Sequence, residues 1–224
     1  MDDAYCIQRE VRRLALADGA VLVGHKIGAT SEAIRAMFKI DQPDSGFLTD
    51  RMVYPSGAAI ETGQLISPKV EVELAFRIGA ELSGDAVTAA DVLACTSQVV
   101  PVLELLDSRI GNWAIRLVDT VADNASCAAV VCGDGVALDG HDLLAERVVF
   151  EVDGHTQAAD GRAVIDGPAG SVACLVRLLS RRGESLPTGD LVLAGAWVGA
   201  VDVSAGSTAH ARFENFGAVS LRMV

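Results

Sequence analysis

The sequence predicts an α+β domain built on a folded-over β-sheet, with a few helices at its periphery. Three observations lead there. Strand-like apolar runs recur at short intervals between turns rich in Gly, Pro, Asn and Asp. Helical periodicity is confined to four stretches, near residues 2–18, 32–39, 89–98 and 168–182, and strands and helices alternate without a repeat. With 224 residues, half of them hydrophobic, the chain can bury a full core as a single domain over 1–224.

Residues 2–18 open on Asp2 and Asp3, carry Ala4, Ile7, Val11, Leu14 and Ala15 at helical spacing, and stop at Gly19. Residues 20–23 read as a short strand running into a loop over 24–28, where Lys26 stands between glycines that let other backbone or a ligand come close. An ordinary turn explains that loop equally well. Thr30 and Ser31 supply an N-cap for the helix over 32–39, residues 41–46 are turn chemistry, and 47–54 and 58–60 are strand pieces around Pro55-Ser56-Gly57. Thr88 with Asp91 forms a capping box for the helix over 89–98. Residues 108–127, dense in small and polar side chains, read as loop. Residues 148–152 turn back through Asp153-Gly154, and the last helix runs over 168–182 from a first-turn proline to Gly183. Strands over 191–194, 208–213 and 218–223 close the chain.

Eighteen basic against thirty acidic residues give a formal charge of −12, which argues against nucleic acid or an anionic membrane as partner. The five cysteines are odd in number, lack a C-x-x-C pair and follow no signal peptide, so a reducing cytoplasm is expected. No apolar run is expected to reach the length of a membrane span. The phosphate-loop, zinc-protease, serine-hydrolase and dinucleotide motifs are missing. His141, His155 and His210 stand isolated, and Cys127 and Cys132 lack partner ligands for zinc.

Two strands carry the chemistry. In Ser67-Pro68-Lys69-Val70-Glu71-Val72-Glu73-Leu74-Ala75-Phe76 the extended chain puts Val70, Val72, Leu74 and Phe76 on one face and Glu71 and Glu73 on the other, roughly 6–7 Å apart. Such a pair is either the solvated face of an amphipathic strand or, in a cleft, a pair of oxygen donors for a hard cation such as magnesium or manganese. Glu104 is a lone carboxylate in the apolar run Val99-Val100-Pro101-Val102-Leu103-Glu104-Leu105-Leu106. Burying it costs several kcal/mol without a partner, which is either an arginine such as Arg109 or a metal shared with Glu71 and Glu73.

Four pieces of sequence carry a resemblance to a known family. They are Asp3-Ala4-Tyr5 with Ile7-Gln8; Lys26-Ile27-Gly28 followed by Thr30-Ser31; Asp41-Gln42-Pro43-Asp44; and Trp113 with Val118-Asp119-Thr120-Val121-Ala122-Asp123-Asn124-Ala125-Ser126-Cys127. Gly183-Glu184, Thr188-Gly189-Asp190 and Gly195-Ala196 extend it. The chain resembles the 2-hydroxypenta-2,4-dienoate (2-keto-4-pentenoate) hydratases of the fumarylacetoacetate hydrolase-like family over essentially its whole length. On that resemblance a shortened form of the usual N-terminal portion is expected. Gly167 and Gly170 stand where the compared hydratases have His and Asn, and Ala194 replaces a hydroxyl residue, so a changed pocket floor is expected.

The resemblance implies a folded-over mixed β-sheet, of roll or sandwich form, with peripheral helices. It implies Mg²⁺ or Mn²⁺ on Glu71, Glu73 and Glu104, Lys26 and Asp44 as catalytic groups, and Lys69, Asp123, Ser126 and Gly195 around the substrate. The implied reaction adds water to a 2-hydroxy-dienoate or 2-oxo-alkenoate to give a 4-hydroxy-2-oxo acid. The implied assembly is a homo-oligomer, with a pathway decarboxylase or aldolase as a further partner. The alternatives are a 2-oxo-3-hexenedioate (4-oxalocrotonate) decarboxylase and a non-catalytic partner in such an assembly.

Overall fold

The computed structural model describes residues 1–30 and 43–224. In chain order the elements are α1 (Asp2–Ala17), β1 (Leu22–Gly28), β2 (Asp44–Thr49), β3 (Val53–Pro55), β4 (Ala58–Ile60), β5 (Lys69–Ile78), α2 (Ala89–Ala94), β6 (Thr96–Leu106), α3 (Leu117–Ala122) and β7 (Cys127–Cys132). There follow β8 (Arg147–Val152), β9 (His155–Asp160), α4 (Gly167–Ser180), β10 (Leu191–Leu193), β11 (Val201–Asp202), β12 (Thr208–Phe213) and β13 (Ala218–Met223). The expected helix over 32–39 and the start of the 41–46 turn lie outside the described residues.

The strands form two sheets. One has eight strands in the order β2-β1-β10-β5-β6-β7-β3, with β11 on β5; the other has five, in the order β4-β13-β12-β8-β9. Parallel and antiparallel pairs mix in both. The sheets share one core. Val70, Val72, Leu74 and Phe76 of β5 bury their side chains with Phe150 of β8, Ala211 and Phe213 of β12, Leu221 of β13 and the inner face of α4, and all four are closed to solvent. At about 25 cal/mol per Å² of apolar area, that shared layer is the main stabilising contribution.

The opposite face of the large sheet carries a smaller apolar cluster of Leu48, Ala75, Val100, Val102, Val130, Leu191 and Leu193. Because strand side chains alternate, Glu71, Glu73 and Glu104 lie on that second face, as the apolar pattern of β5 predicts.

Several elements differ from expectation. Lys26 is on a regular strand rather than a loop, since β1 pairs with β2 on one side and β10 on the other. Asp44, Ser45 and Gly46 begin β2 instead of forming a turn. The Thr88–Asp91 capping box is present, but α2 ends at Ala94 and residues 96–98 already belong to β6. Residues 117–122 are helix where loop was read, and Cys127, the end of that loop reading, begins a strand over 127–132 that the sequence reading did not assign. Gly161–Ser180 is long and apolar enough to cross a membrane by composition, contrary to expectation, yet 61% of its apolar window is buried inside this fold. It is a core helix. All five cysteines are free thiols.

Candidate metal centre and cavity

The site begins with a register. β5 and β6 run antiparallel with Glu71 directly opposite Glu104, and Glu73 lies two residues further along β5 on the same face. One carboxylate oxygen from each of the three lies within 4.8 Å of the others. Glu104 is fully buried, Glu73 is 2% exposed, and Glu71 is partly open to a cavity of about 680 Å³. Neither oxygen of Glu104 has a hydrogen bond among the described residues. Glu73 accepts one from the Gly195 backbone N–H at 2.7 Å.

The cavity opens because of how two short strands meet β5. β10 pairs with Ala75, Phe76 and Arg77, whereas β11 pairs with Lys69 and Val70. The chain between them bonds to the β5 backbone at Ala194 N–H to Leu74 O and Trp197 N–H to Val72 O, and to the Glu73 side chain through Gly195 N–H. Along the glutamate stretch the ladder is therefore interrupted, and Ala196, Trp197, Val198, Gly199 and Ala200 become cavity wall.

Lys26 reaches the carboxylates across one intervening strand, in the register Lys26–Leu193–Ala75. Its Nζ is 3.2 Å from Glu104 Oε1 and donates to Ala125 O at 3.0 Å. Burial alone would lower its pKa, but Glu104, Asp44 and Glu73 outweigh that and raise it, so the ammonium stays charged. Asp44 lies on β2, and its Oδ1 is buried without a hydrogen-bond partner among the described residues. Burial raises the Asp44 pKa and Glu104 adds to the rise, while Lys26 opposes it together with the backbone N–H groups of Asp44 and Gly28. A Cβ on Gly28 would stand 2.3 Å from Asp44 Oδ1 and 3.3 Å from Lys26 Nζ, so glycine there is what lets the two side chains share the space.

The acidic trio carries the strain of like charge. Burial, then Glu104, push Glu71 up to about 8 against the pull of Lys26. Glu73 is raised well above the ordinary carboxylate range by burial, Glu104 and Glu71. The neighbouring Cys127 thiol is raised as well, by burial and then by Glu104. Ionising three carboxylates against one lysine leaves uncompensated negative charge, and the donor set is all oxygen, with Glu104 Oε2 lacking a partner among the described residues. Those properties fit a hard divalent cation and do not fit a soft one.

Asn124, Ala125 and Ser126 all adopt left-handed backbone, with φ of 55°, 52° and 58°. Such a run costs on the order of 1–3 kcal/mol per residue. The Asn124 side chain offsets part of it by bonding to both Phe47 N–H and Phe47 O, at 2.8 and 3.0 Å. The result presents Ala125 O to Lys26 and places Ser126 Oγ, buried and without a hydrogen-bond partner among the described residues, at the cavity wall.

Of the residues singled out in the sequence, Lys26, Asp44, Lys69, Glu71, Glu73 and Ser126 line this one cavity, and Glu104 joins them from behind. Two do not. Asp123 accepts hydrogen bonds from Arg109 N–H and Nη1 and borders a different groove, so Arg109 is spoken for and is not the partner of Glu104. Gly195 acts through Glu73 and does not line the cavity itself. Nor do Gly167, Gly170 or Ala194 line it, so the expected change in pocket floor does not arise from them. Sequence reasoning missed Thr120, Trp113 and Trp197 as lining residues. It also missed the buried contact between His25 Nδ1 and Asp190 Oδ2 at 3.0 Å, on the strand face opposite Lys26, for which alternation along β1 was the available signal.

The sequence profile of the fumarylacetoacetate (FAA) hydrolase C-terminal family matches residues 20–224. The chain belongs to this family. It is 38% identical over 224 residues to a 4-oxalocrotonate decarboxylase of Pseudomonas sp. (strain CF600), covering 99% of this chain and 85% of that one. It is 40% identical over 221 residues to 2-keto-4-pentenoate hydratase 1 of Dechloromonas aromatica (strain RCB), covering 98% and 84%. Among solved structures it resembles 4-oxalocrotonate decarboxylase from Pseudomonas putida G7 complexed with magnesium and adipate, with a TM-score of 0.96 and 36% identity over 100% of this chain and 86% of that one.

Proposed function

We propose that the protein is a divalent-metal-dependent hydratase that adds water to a short 2-hydroxy-dienoate, or its 2-oxo-alkenoate tautomer, to give a 4-hydroxy-2-oxo acid. The observation that carries this reading is the cross-strand trio Glu71, Glu73 and Glu104 beside a buried, charged Lys26. The sequence relation to hydratases and to a decarboxylase supports the substrate class. Mg²⁺ or Mn²⁺ held by the trio would supply Lewis-acid charge to the substrate's carboxylate and 2-oxygen.

The chain's own groups do the rest. Lys26 offers a fixed ammonium to negative charge that develops as the dienol passes to the conjugated 2-oxo form. Asp44, with a raised pKa and a free buried oxygen, can hold a proton at Oδ1, deliver it to the far carbon and accept one from the incoming water. Net, one water is consumed: its hydroxyl joins carbon 4 and the hydrogens end on carbons 3 and 5. Ser126 Oγ is placed to orient that water or the substrate. The apolar wall restricts competing solvent.

The decarboxylase relatives are about as similar in sequence as the hydratases, so identity does not separate the two chemistries. Product analysis separates them. With Mg²⁺ or Mn²⁺ present, 2-hydroxypenta-2,4-dienoate should yield the 4-hydroxy-2-oxo acid; release of carbon dioxide from the six-carbon diacid, with no hydration of the monoacid, would overturn the reading. A cytoplasmic homo-oligomer is part of the proposal, supported by the free thiols and by the exposed stripe Ile7, Val11 and Leu14 on α1.

A further inference from the structure

Resting on the hydratase reading, we infer that the ion pair Lys69–Asp202 sets the charge specificity of the cavity. It makes the site select a monocarboxylic 2-hydroxy-dienoate with an apolar tail over a dicarboxylic one. Lys26 and Lys69 are the only basic side chains lining the cavity among the described residues. Lys26 is committed to the acidic trio. Lys69 lies on the same face of β5 two residues before Glu71, roughly 6–7 Å further along the wall of the same cavity.

It is not free to receive a second carboxylate. The β5–β11 register puts Asp202 directly opposite Lys69, and Lys69 Nζ is 2.5 Å from Asp202 Oδ1. The same Nζ stands 5.3 Å from the Trp113 ring centroid, so one side of the ammonium is covered by an aromatic face. A distal carboxylate would have to displace Asp202 in a chain already carrying a formal charge of −12. Apart from the acidic groups and the hydroxyls of Thr30, Thr120 and Ser126, the wall is apolar, with Ile115, Leu117, Ala163 and Val198 among its residues. A volume of about 680 Å³ leaves room for a tail longer than a vinyl group.

The test uses the Mg²⁺-loaded protein and two readouts. Trp113 and Trp197 are the chain's two tryptophans and both line the cavity, so intrinsic fluorescence reports binding independently of turnover. Hexanoate and adipate serve as unreactive probes, and 2-hydroxyhexa-2,4-dienoate and its 6-carboxylate counterpart, 2-hydroxyhexa-2,4-dienedioate, as substrates. Wild type should bind the monoacid and hydrate it at least about tenfold better than the diacid. Because Asp202 is exposed and its attraction for Lys69 is screened, Asp202→Asn should raise the diacid-to-monoacid ratio by about three- to tenfold. Adding Lys69→Gln to that variant should cancel the gain, as loss of the fold would not.

A wild type that handles the diacid as well as the monoacid, or a ratio unmoved by Asp202→Asn, overturns the inference while leaving hydration intact. Selective binding of hexanoate without turnover of either substrate supports the charge inference and overturns the hydratase reading instead. Binding of neither probe overturns the inference.

Discussion

Lys26 Nζ lies 3.2 Å from Glu104 Oε1, and both side chains are closed off from solvent. Removing one member of a buried pair strands the other, at a cost of about 3–5 kcal/mol. Lys26→Met should therefore lower the melting temperature of metal-stripped protein, and divalent cation should restore part of the loss. In folded, metal-loaded protein kcat should fall by about 10²–10³, with Mn²⁺ affinity held or improved because the competing cation has gone. A kcat within about threefold of wild type would remove Lys26 from catalysis.

Glu104 and Asp107 separate ligand from scaffold on the same strand end. Glu104→Gln should weaken Mn²⁺ binding by at least about 100-fold, more than the loss of an outer-shell partner. Asp107 accepts the Ile66 and Ser67 N–H groups at 2.9 and 2.7 Å, which holds the approach to β5. Asp107→Asn should cost about 1 kcal/mol in stability and leave affinity within about threefold. Titration calorimetry on both variants decides, and equal affinities would return Glu104 to a purely structural pairing.

The pH dependence of stability should change sign of importance with metal. In the metal-free fold Glu71 is pushed up to about 8 from an ordinary 4.5, so between those values the unfolded chain binds fewer protons than the native one. Its contribution to stability is whole below about pH 4.5 and is lost as pH rises through about 8. Thermal melts in chelator should fall across that window, and Mg²⁺, which binds the ionised carboxylate, should flatten the slope. Parallel slopes with and without Mg²⁺ would place the cation elsewhere.

Gly195 tests the support behind Glu73. Its φ of +103° disfavours a side chain, and a Cβ would stand 2.1 Å from Thr30 Oγ1. Gly195→Ala should shift the N–H that Glu73 accepts and weaken Mn²⁺ binding by about 10–100-fold, with the glutamates themselves unchanged. Wild-type affinity in a folded Gly195→Ala protein would show that this hydrogen bond does not position the ligand.

What could be read in advance followed from period and charge. Alternation along 70–76 placed Glu71 and Glu73 opposite a wholly apolar face, and a lone glutamate inside the apolar run of β6 announced a burial that needs compensation. Caps and turns located α1, α4 and the β8–β9 hairpin. Lys26 was misplaced on a loop because glycines at 24 and 28 mimic punctuation; in the fold a Cβ on Gly24 would meet Leu191 O at 2.0 Å, so that glycine serves close strand packing. α3 was hidden by small and polar residues whose structure is imposed by tertiary contact, Val121 packing on Ala4 and Tyr5 of α1, and β7 by a short run of small apolar residues without alternation. Asp123 departs from the cavity because its side chain turns to Arg109, and Gly195 because it acts through its backbone N–H on Glu73; spacing encodes neither.

β10 is three residues long, yet it alone joins β1 to β5 in the sheet order. The acidic trio comes from two strands adjacent in the chain, whereas the strand carrying Lys26 joins their sheet through residues 191–193, its earlier ties being Lys26 to Ala125 O and Phe47 to the Asn124 side chain. During synthesis, residues 22–28 and 69–106 emerge well before that connecting piece. A nascent or C-terminally truncated chain thus holds three clustered carboxylates before the sheet that fixes Lys26 against them is complete. A divalent ion would compensate them at that stage, so metal availability should govern how productively the chain matures as well as how fast the finished protein turns over.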